Sequence, residues 1–125
     1  MTTNKKEPSE QEEPGNRVRL RGKVSTPPEE RSLPSGTTIV TLRLSVPRDL
    51  SPMTEGSRQS ADWVDCSAWG RKVRRTTSGW RAGDLVEVEG ALRRRFYRGA
   101  SGTATRLEVE VLSGRLVSRA EAGAG

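Results

Sequence analysis

The sequence predicts an all-β domain, five strands bent into a barrel with one short helix between strands three and four. Three observations carry that prediction. Five separated runs alternate apolar and polar residues, the mark of strands with one face in a core. A single segment, placed after the third run, switches to helical spacing. A glycine, Gly90, interrupts the middle of the fourth run, where a closed sheet needs a bulge or sharp bend. With 125 residues there is room for one compact core.

Residues 1–15, MTTNKKEPSEQEEPG, contain Glu, Lys, Pro, Ser and Gln without apolar periodicity and predict a disordered arm that cannot offset its ordering entropy. The folded domain is expected over 16–117, followed by a short flexible tail over 118–125. In RVRLRGKV, Arg17–Val24, the residues Val18, Leu20, Gly22 and Val24 face inward, while Arg17, Arg19, Arg21 and Lys23 form a basic ribbon outside. The prolines of STPPEERSLPSG predict a loop after this first strand, because proline removes a ladder donor. The second strand, Thr37–Val46, turns Val40, Leu42, Leu44 and Val46 inward and Thr41, Arg43 and Ser45 outward. PRDLSPMTEGSRQS is a long connection of the kind more often functional than accidental, and it opens with Arg48.

The third strand is ADWVDCSAWGRK, Ala61–Lys72, with Val64, Cys66 and Ala68 on the core side and Trp63, Asp65, Ser67 and Trp69 on the other. Val73, Thr77 and Trp80 recur at helical spacing in RKVRRTTSGW, with Trp80 as a packing residue and Gly83 as the stop. Strand four, Asp84–Arg98, has Val86, Val88, Gly90 and Leu92 inward. In strand five, TATRLEVEVLSGRL, the inward set is Leu107, Val109 and Val111. This order, with strongly bent strands, describes an OB-fold barrel.

Composition narrows the function. No 18-residue apolar run can span a membrane, and the acidic opening residues fit neither a secretory signal nor a transit peptide, so the expected location is the cytoplasm, at the nucleoid. The chain has no histidine and one cysteine, which removes the commonest general base and leaves no zinc ligand set. Cys66 reads as a small buried hydrophobe. No nucleophile constellation or phosphate-cradling loop is present, so a non-enzymatic protein without a cofactor is expected. Formal charge is +6, and the two lysines and four glutamates of the first 15 residues hold −2 of it, which leaves +8 for the remainder. Such a field suits a polyanion.

The outer face gives the field its partner. Trp63 and Trp69 stand six residues of strand, about 20 Å, apart among polar neighbours. Arg93, Arg95 and Tyr97 share the outer face of strand four within the run RRRFYR, whereas Phe96 has core-side parity. Rings stack on any base for roughly 1–3 kcal/mol each, while arginines track phosphates. Trp63, Trp69 and Tyr97 are therefore the candidate stacking residues, and Arg17, Arg19, Arg21, Lys23, Arg43, Arg48, Arg71, Arg93 and Arg95 the candidate phosphate contacts. Large rings also serve subunit interfaces, but Asp65 and Ser67 are poor interface-core residues.

NRVRLRGKV, WVDCSAWGRK, AGDLVEVEGALRRRFY and LEVEVL occur in this order between about Asn16 and Leu116, and together they resemble bacterial single-stranded DNA-binding proteins. The resemblance implies an OB fold, sequence-tolerant single-stranded DNA binding in replication, recombination and repair, and a homo-oligomer, usually a tetramer. It places Trp63, Trp69 and Tyr97 at the family's stacking positions and Arg17 and Arg71 at its phosphate contacts. The chain departs from the pattern in VPRDLSP, which lacks the family's further aromatic, and at Asp65, where a basic residue is common. Arg19 and Arg21 charge an edge that often joins subunits, so a dimer competes with a tetramer. SRAEAGAG lacks the acidic, aromatic-tipped terminus that recruits repair proteins, so tail-mediated recruitment is not expected and an accessory paralogue fits better. Two other readings use the same face: an OB-fold RNA binder, and an interaction subunit of a replication or restart assembly.

Overall fold

The computed structural model describes residues 13–121. Five strands, β1 Val18–Ser32, β2 Thr38–Pro47, β3 Ala61–Ala68, β4 Leu85–Gly99 and β5 Gly102–Ser118, close into a barrel in the order β1-β2-β3-β5-β4, and the helix α1, Arg71–Ser78, links β3 to β4. All neighbouring pairs are antiparallel except β3 with β5, whose parallel register aligns Cys66 with Val109 and Ala68 with Val111. This is the OB-fold connectivity the sequence predicts. Of the expected arm and tail, 1–12 and 122–125 lie outside the described residues.

Alternation builds the core. Val24, Val40, Leu42, Leu44, Cys66, Ala68, Val86, Val88, Val109 and Val111 are all buried, Trp80 joins their cluster, and the helix contributes Val73, packed against it, and the buried Thr77. Two glycines let strands cross closely. A Cβ on Gly90 would overlap the Glu110 carbonyl oxygen and one on Gly22 the Ser45 carbonyl oxygen. The register slips between Glu89 and Gly90, so the predicted bulge is present.

Several boundaries differ from expectation. β1 does not stop at Val24 but runs through Pro27 and Pro28 to Ser32. The register against β2 shifts between Val24 and Thr26 and again between Thr26 and Glu29. Both prolines thus fall in the irregular stretch, where a missing N–H removes no ladder bond. β3 ends at Ala68, which leaves Trp69 beyond the strand. The helix ends at Ser78 with Gly79 as its cap, not at Gly83, whose N–H instead donates to the Val24 carbonyl (2.8 Å).

Leu92 and Leu107, expected inside, are 45% and 55% exposed, and Phe96 is 66% exposed. Their parity is the core one, but the β4–β5 ribbon pairs continuously from Leu92↔Val109 out to Gly99↔Gly102 and carries them past the barrel. An inward-pointing side chain has nothing beneath it there. At the opposite end, Arg119 and Ala120, expected in the tail, fasten to the buried Asp84: Arg119 Nη1 (2.8 Å) and the Ala120 N–H (2.9 Å) donate to its carboxylate, as does the Arg81 N–H (2.9 Å). Burial opposes the Asp84 charge, yet the Ala120 and Arg81 amides with the Arg119 guanidinium outweigh it and hold the group below the usual carboxylate range.

Candidate nucleic-acid interface

On the outer face of the β2–β3 pair, Arg43 stands opposite Asp65 and Ser45 opposite Trp63. Arg43 Nε donates to Asp65 Oδ1 at 2.9 Å, and the guanidinium carbon lies 4.1 Å from the Trp63 ring centroid. This cation–π contact occupies one face of an indole that remains 63% exposed. A flat apolar surface held by a fixed cation is a place for a base to stack.

Trp69 is held differently. Arg74 of α1 donates from Nε to the Trp69 carbonyl (3.0 Å), fixing the backbone at the turn from strand to helix. The half-buried indole folds back, its Nε1 donating to Ser67 Oγ (2.9 Å). Ser67 in turn donates to Glu108 Oε2 (2.6 Å), and Glu108 accepts from Arg95 Nε (2.9 Å) and Nη2 (3.2 Å). Ser67, expected to face water, is fully buried, because Trp69 and this network cover it. Glu108 is 3% exposed and its charge is met by a two-pronged guanidinium. Trp69, just past β3, and Arg95 of β4 are thereby linked through one carboxylate.

Arg93, Arg95 and Tyr97 lie on one face of β4, with Glu108, Arg106 and Ala104 opposite them on β5. The Arg106 guanidinium carbon is 5.7 Å from the Tyr97 ring centroid. Three cavities adjoin one another along this face. One of about 330 Å³ is bounded by Trp69, Arg93, Arg94, Arg95, Glu108 and Glu110. Through Glu108 it meets a second of about 280 Å³ at Arg43, Asp65 and Arg106. Arg31, Thr41 and Arg106 connect that to a third of about 370 Å³ at Ile39, Arg95 and Tyr97. The result is a groove from Trp69 to Tyr97, with Trp63 stacked on Arg43 at its side.

Of the other expected phosphate contacts, Arg93 lines the groove and the rest are distributed elsewhere. Arg17 is exposed just before β1, and Arg71 is exposed at the start of α1, two residues from Trp69. Arg48 Nε is bonded to both Asp62 carboxylate oxygens (3.0 and 2.9 Å). Arg93 Nε pairs with Glu110 at 2.9 Å. Lys23 lies beside Arg21, Ser45 and Leu85 in a separate depression. Arg19 and Arg21 gather with Arg115 around Glu87 at 3.4, 3.5 and 3.0 Å, and the cavity beside Arg19, Glu87, Glu89 and Arg115 shares no residue with the groove. Burial opposes the Glu87 charge, and the Arg19, Arg115 and Arg21 guanidinia outweigh it and keep the carboxyl below its ordinary range. Cys66 lies in the core behind this surface. Burial first, then the Asp65 and Glu108 charges, push its thiol up to about 12, which leaves it a neutral packing group.

Among the groove residues not singled out as site residues are Arg31, Ile39, Arg106 and Glu108. Arg31 falls in the segment expected to be loop, and Ile39, fully buried on the outer side of β2, is covered because the β4–β5 ribbon stands across from it. Arg106 and Glu108 were legible, since outward parity follows from Val109 and Val111 being inward.

The profile of the single-strand binding protein family matches residues 15–119. Among relatives, the chain is 31% identical over 87 residues to single-stranded DNA-binding protein A of Bacillus subtilis, covering 70% of this chain and 49% of that protein. It is 33% identical over 88 residues to single-stranded DNA-binding protein 3 of Listeria innocua, covering 70% and 53%. The chain thus spans about half the length of the relatives it matches. In fold it is similar to a solved structure described as Plasmodium falciparum SSB complex with ssDNA, at a TM-score of 0.65 and 20% identity, covering 85% of this chain and 96% of that one. With its five-stranded barrel and a family profile that runs almost from end to end, the chain belongs to the single-strand binding protein family.

Proposed function

We propose that this protein binds single-stranded DNA with little sequence preference, by stacking bases on Trp63, Trp69 and Tyr97 while arginines neutralise phosphates. One observation carries the reading: each of the three rings borders a groove residue of positive charge, Arg43 under Trp63, Arg95 beside Trp69 and Arg106 against Tyr97. Of the remaining phosphate candidates, Arg93 lines the groove and Arg71 stands two residues from Trp69, while Arg17 and Lys23 would extend the path over the barrel. The Arg19 and Arg21 pairs with Glu87 favour a different duty for that side. The family name supports a single strand as the ligand, and the relatives' names support DNA as the polymer. On this reading the protein is a binder rather than a catalyst, works in replication, recombination or repair in the cytoplasm, and assembles as a homo-oligomer. Among the described residues no helix is long and apolar enough to cross a membrane, and no group of three or more His, Cys, Asp and Glu is placed to hold a metal ion.

Titration with oligo-dT tests the proposal. Tryptophan fluorescence is expected to quench on binding, and Trp63→Ala and Trp69→Ala each to weaken affinity by about 1–3 kcal/mol. Trp80→Ala, a change in the core, serves as the comparison. Equal losses in all three variants with the fold intact, or unquenched fluorescence at low salt, would refute stacking. Tighter binding of an RNA oligomer of equal sequence would transfer the reading to RNA.

A further inference from the structure

Resting on the single-strand reading, we propose that Asp65 and Glu110 set the strength of binding by occupying the arginines a phosphate would take. Strand entry is then an exchange of one anion for another.

The geometry supports exchange because three arginines of the groove are already paired at 2.9 Å: Arg43 with Asp65, Arg93 with Glu110 and Arg95 with Glu108. The three carboxylates differ in their access to water. Glu110 and Asp65 are about a quarter exposed, at 25% and 24%. Each can be rehydrated when its guanidinium turns toward a phosphate. Glu108, at 3%, cannot, because leaving a buried charge without its partner is strongly unfavourable. Arg95 therefore stays on Glu108 and offers a phosphate only its spare N–H groups, while Arg43 and Arg93, whose side chains are 38% and 52% exposed, are exchangeable. Charge separates this groove from an open basic one. A guanidinium shared with a carboxylate contributes little net charge, so it displaces fewer counterions from the strand. Each fully neutralised phosphate adds about 0.7 to the magnitude of the slope of log K against log salt for single strands.

The experiment measures oligo-dT affinity of the full chain by fluorescence anisotropy across a salt series, for wild type, Asp65→Asn, Glu110→Gln and the two combined. Each single variant is expected to bind about two- to fivefold tighter at low salt and to steepen the slope by up to about 0.7, with the double variant steeper still. Glu89→Gln, which removes a carboxylate paired with Arg19 outside the groove, is the control and should leave the slope within error. Melting followed by circular dichroism confirms the fold, and the two variants sit on different strands, so failure of one leaves the other. Unchanged or shallower slopes in a chain that binds overturn this inference alone, as does an equal effect from Glu89→Gln. A wild-type chain that ignores oligo-dT overturns the binding reading and the exchange with it.

Discussion

Glu108→Ala removes the carboxylate on which Ser67, Arg95 and, through Ser67, Trp69 converge. Three hydrogen bonds to Glu108 are lost, at 2.6, 2.9 and 3.2 Å. Two of them come from a charged guanidinium whose side chain is only 22% exposed. Breaking a buried ion pair from one side typically destabilises by about 3–5 kcal/mol, mostly because the surviving charge is left without a partner. A domain of this size loses about 4 °C of Tm per kcal/mol, so the expected drop is about 12–20 °C. Urea unfolding followed by tryptophan fluorescence measures the free energy, and an unchanged m-value shows that the same structure is being unfolded. The companion variant, Arg95→Met with Glu108→Leu, removes both charges and keeps apolar bulk. It should recover most of the loss, since replacing a whole buried pair is often neutral. A single-variant loss below about 1 kcal/mol, or a double variant as unstable as the single, would refute the view that Glu108 is a desolvated charge held by Arg95.

Two further outcomes follow from ionisation. Asp84, held below the ordinary carboxylate range by Ala120, Arg81 and Arg119, has a folded pKa under its unfolded value. Its contribution is therefore complete above the unfolded value of about 3.9 and is lost as pH falls through the folded one. Thermal melts from pH 7 downward should show a shallower acid decline for Asp84→Asn than for wild type, and parallel curves would contradict the assignment. Cys66, with its thiol pushed up to about 12, should react with a thiol reagent at neutral pH only after unfolding. Rapid labelling of the native chain would contradict its burial.

Alternation in the amino-acid sequence by itself determined which residues form the barrel wall, because strand parity is a local property: Val40, Leu42, Leu44, Val86 and Val88 face the core wherever their strands lie. It determined the bulge at Gly90 for a similar reason, as well as the outward Trp63 and Tyr97. Only the tertiary structure decided where that wall ends. Leu92 and Leu107 keep inward parity yet are exposed, since the β4–β5 ribbon outruns the barrel. Pro27 and Pro28 lie within β1 because irregular pairing tolerates them, which no reading of their chemistry alone would indicate. Partner choice was likewise decided in three dimensions. The sequence placed Arg43, Arg48, Arg93 and Arg95 outside as free cations, whereas the fold sets each against a carboxylate, on a neighbouring strand in every case but Arg48, which precedes β3 across the 48–60 connection. Parity depends on the pleat of one strand, and pairing depends on which strand lies beside it.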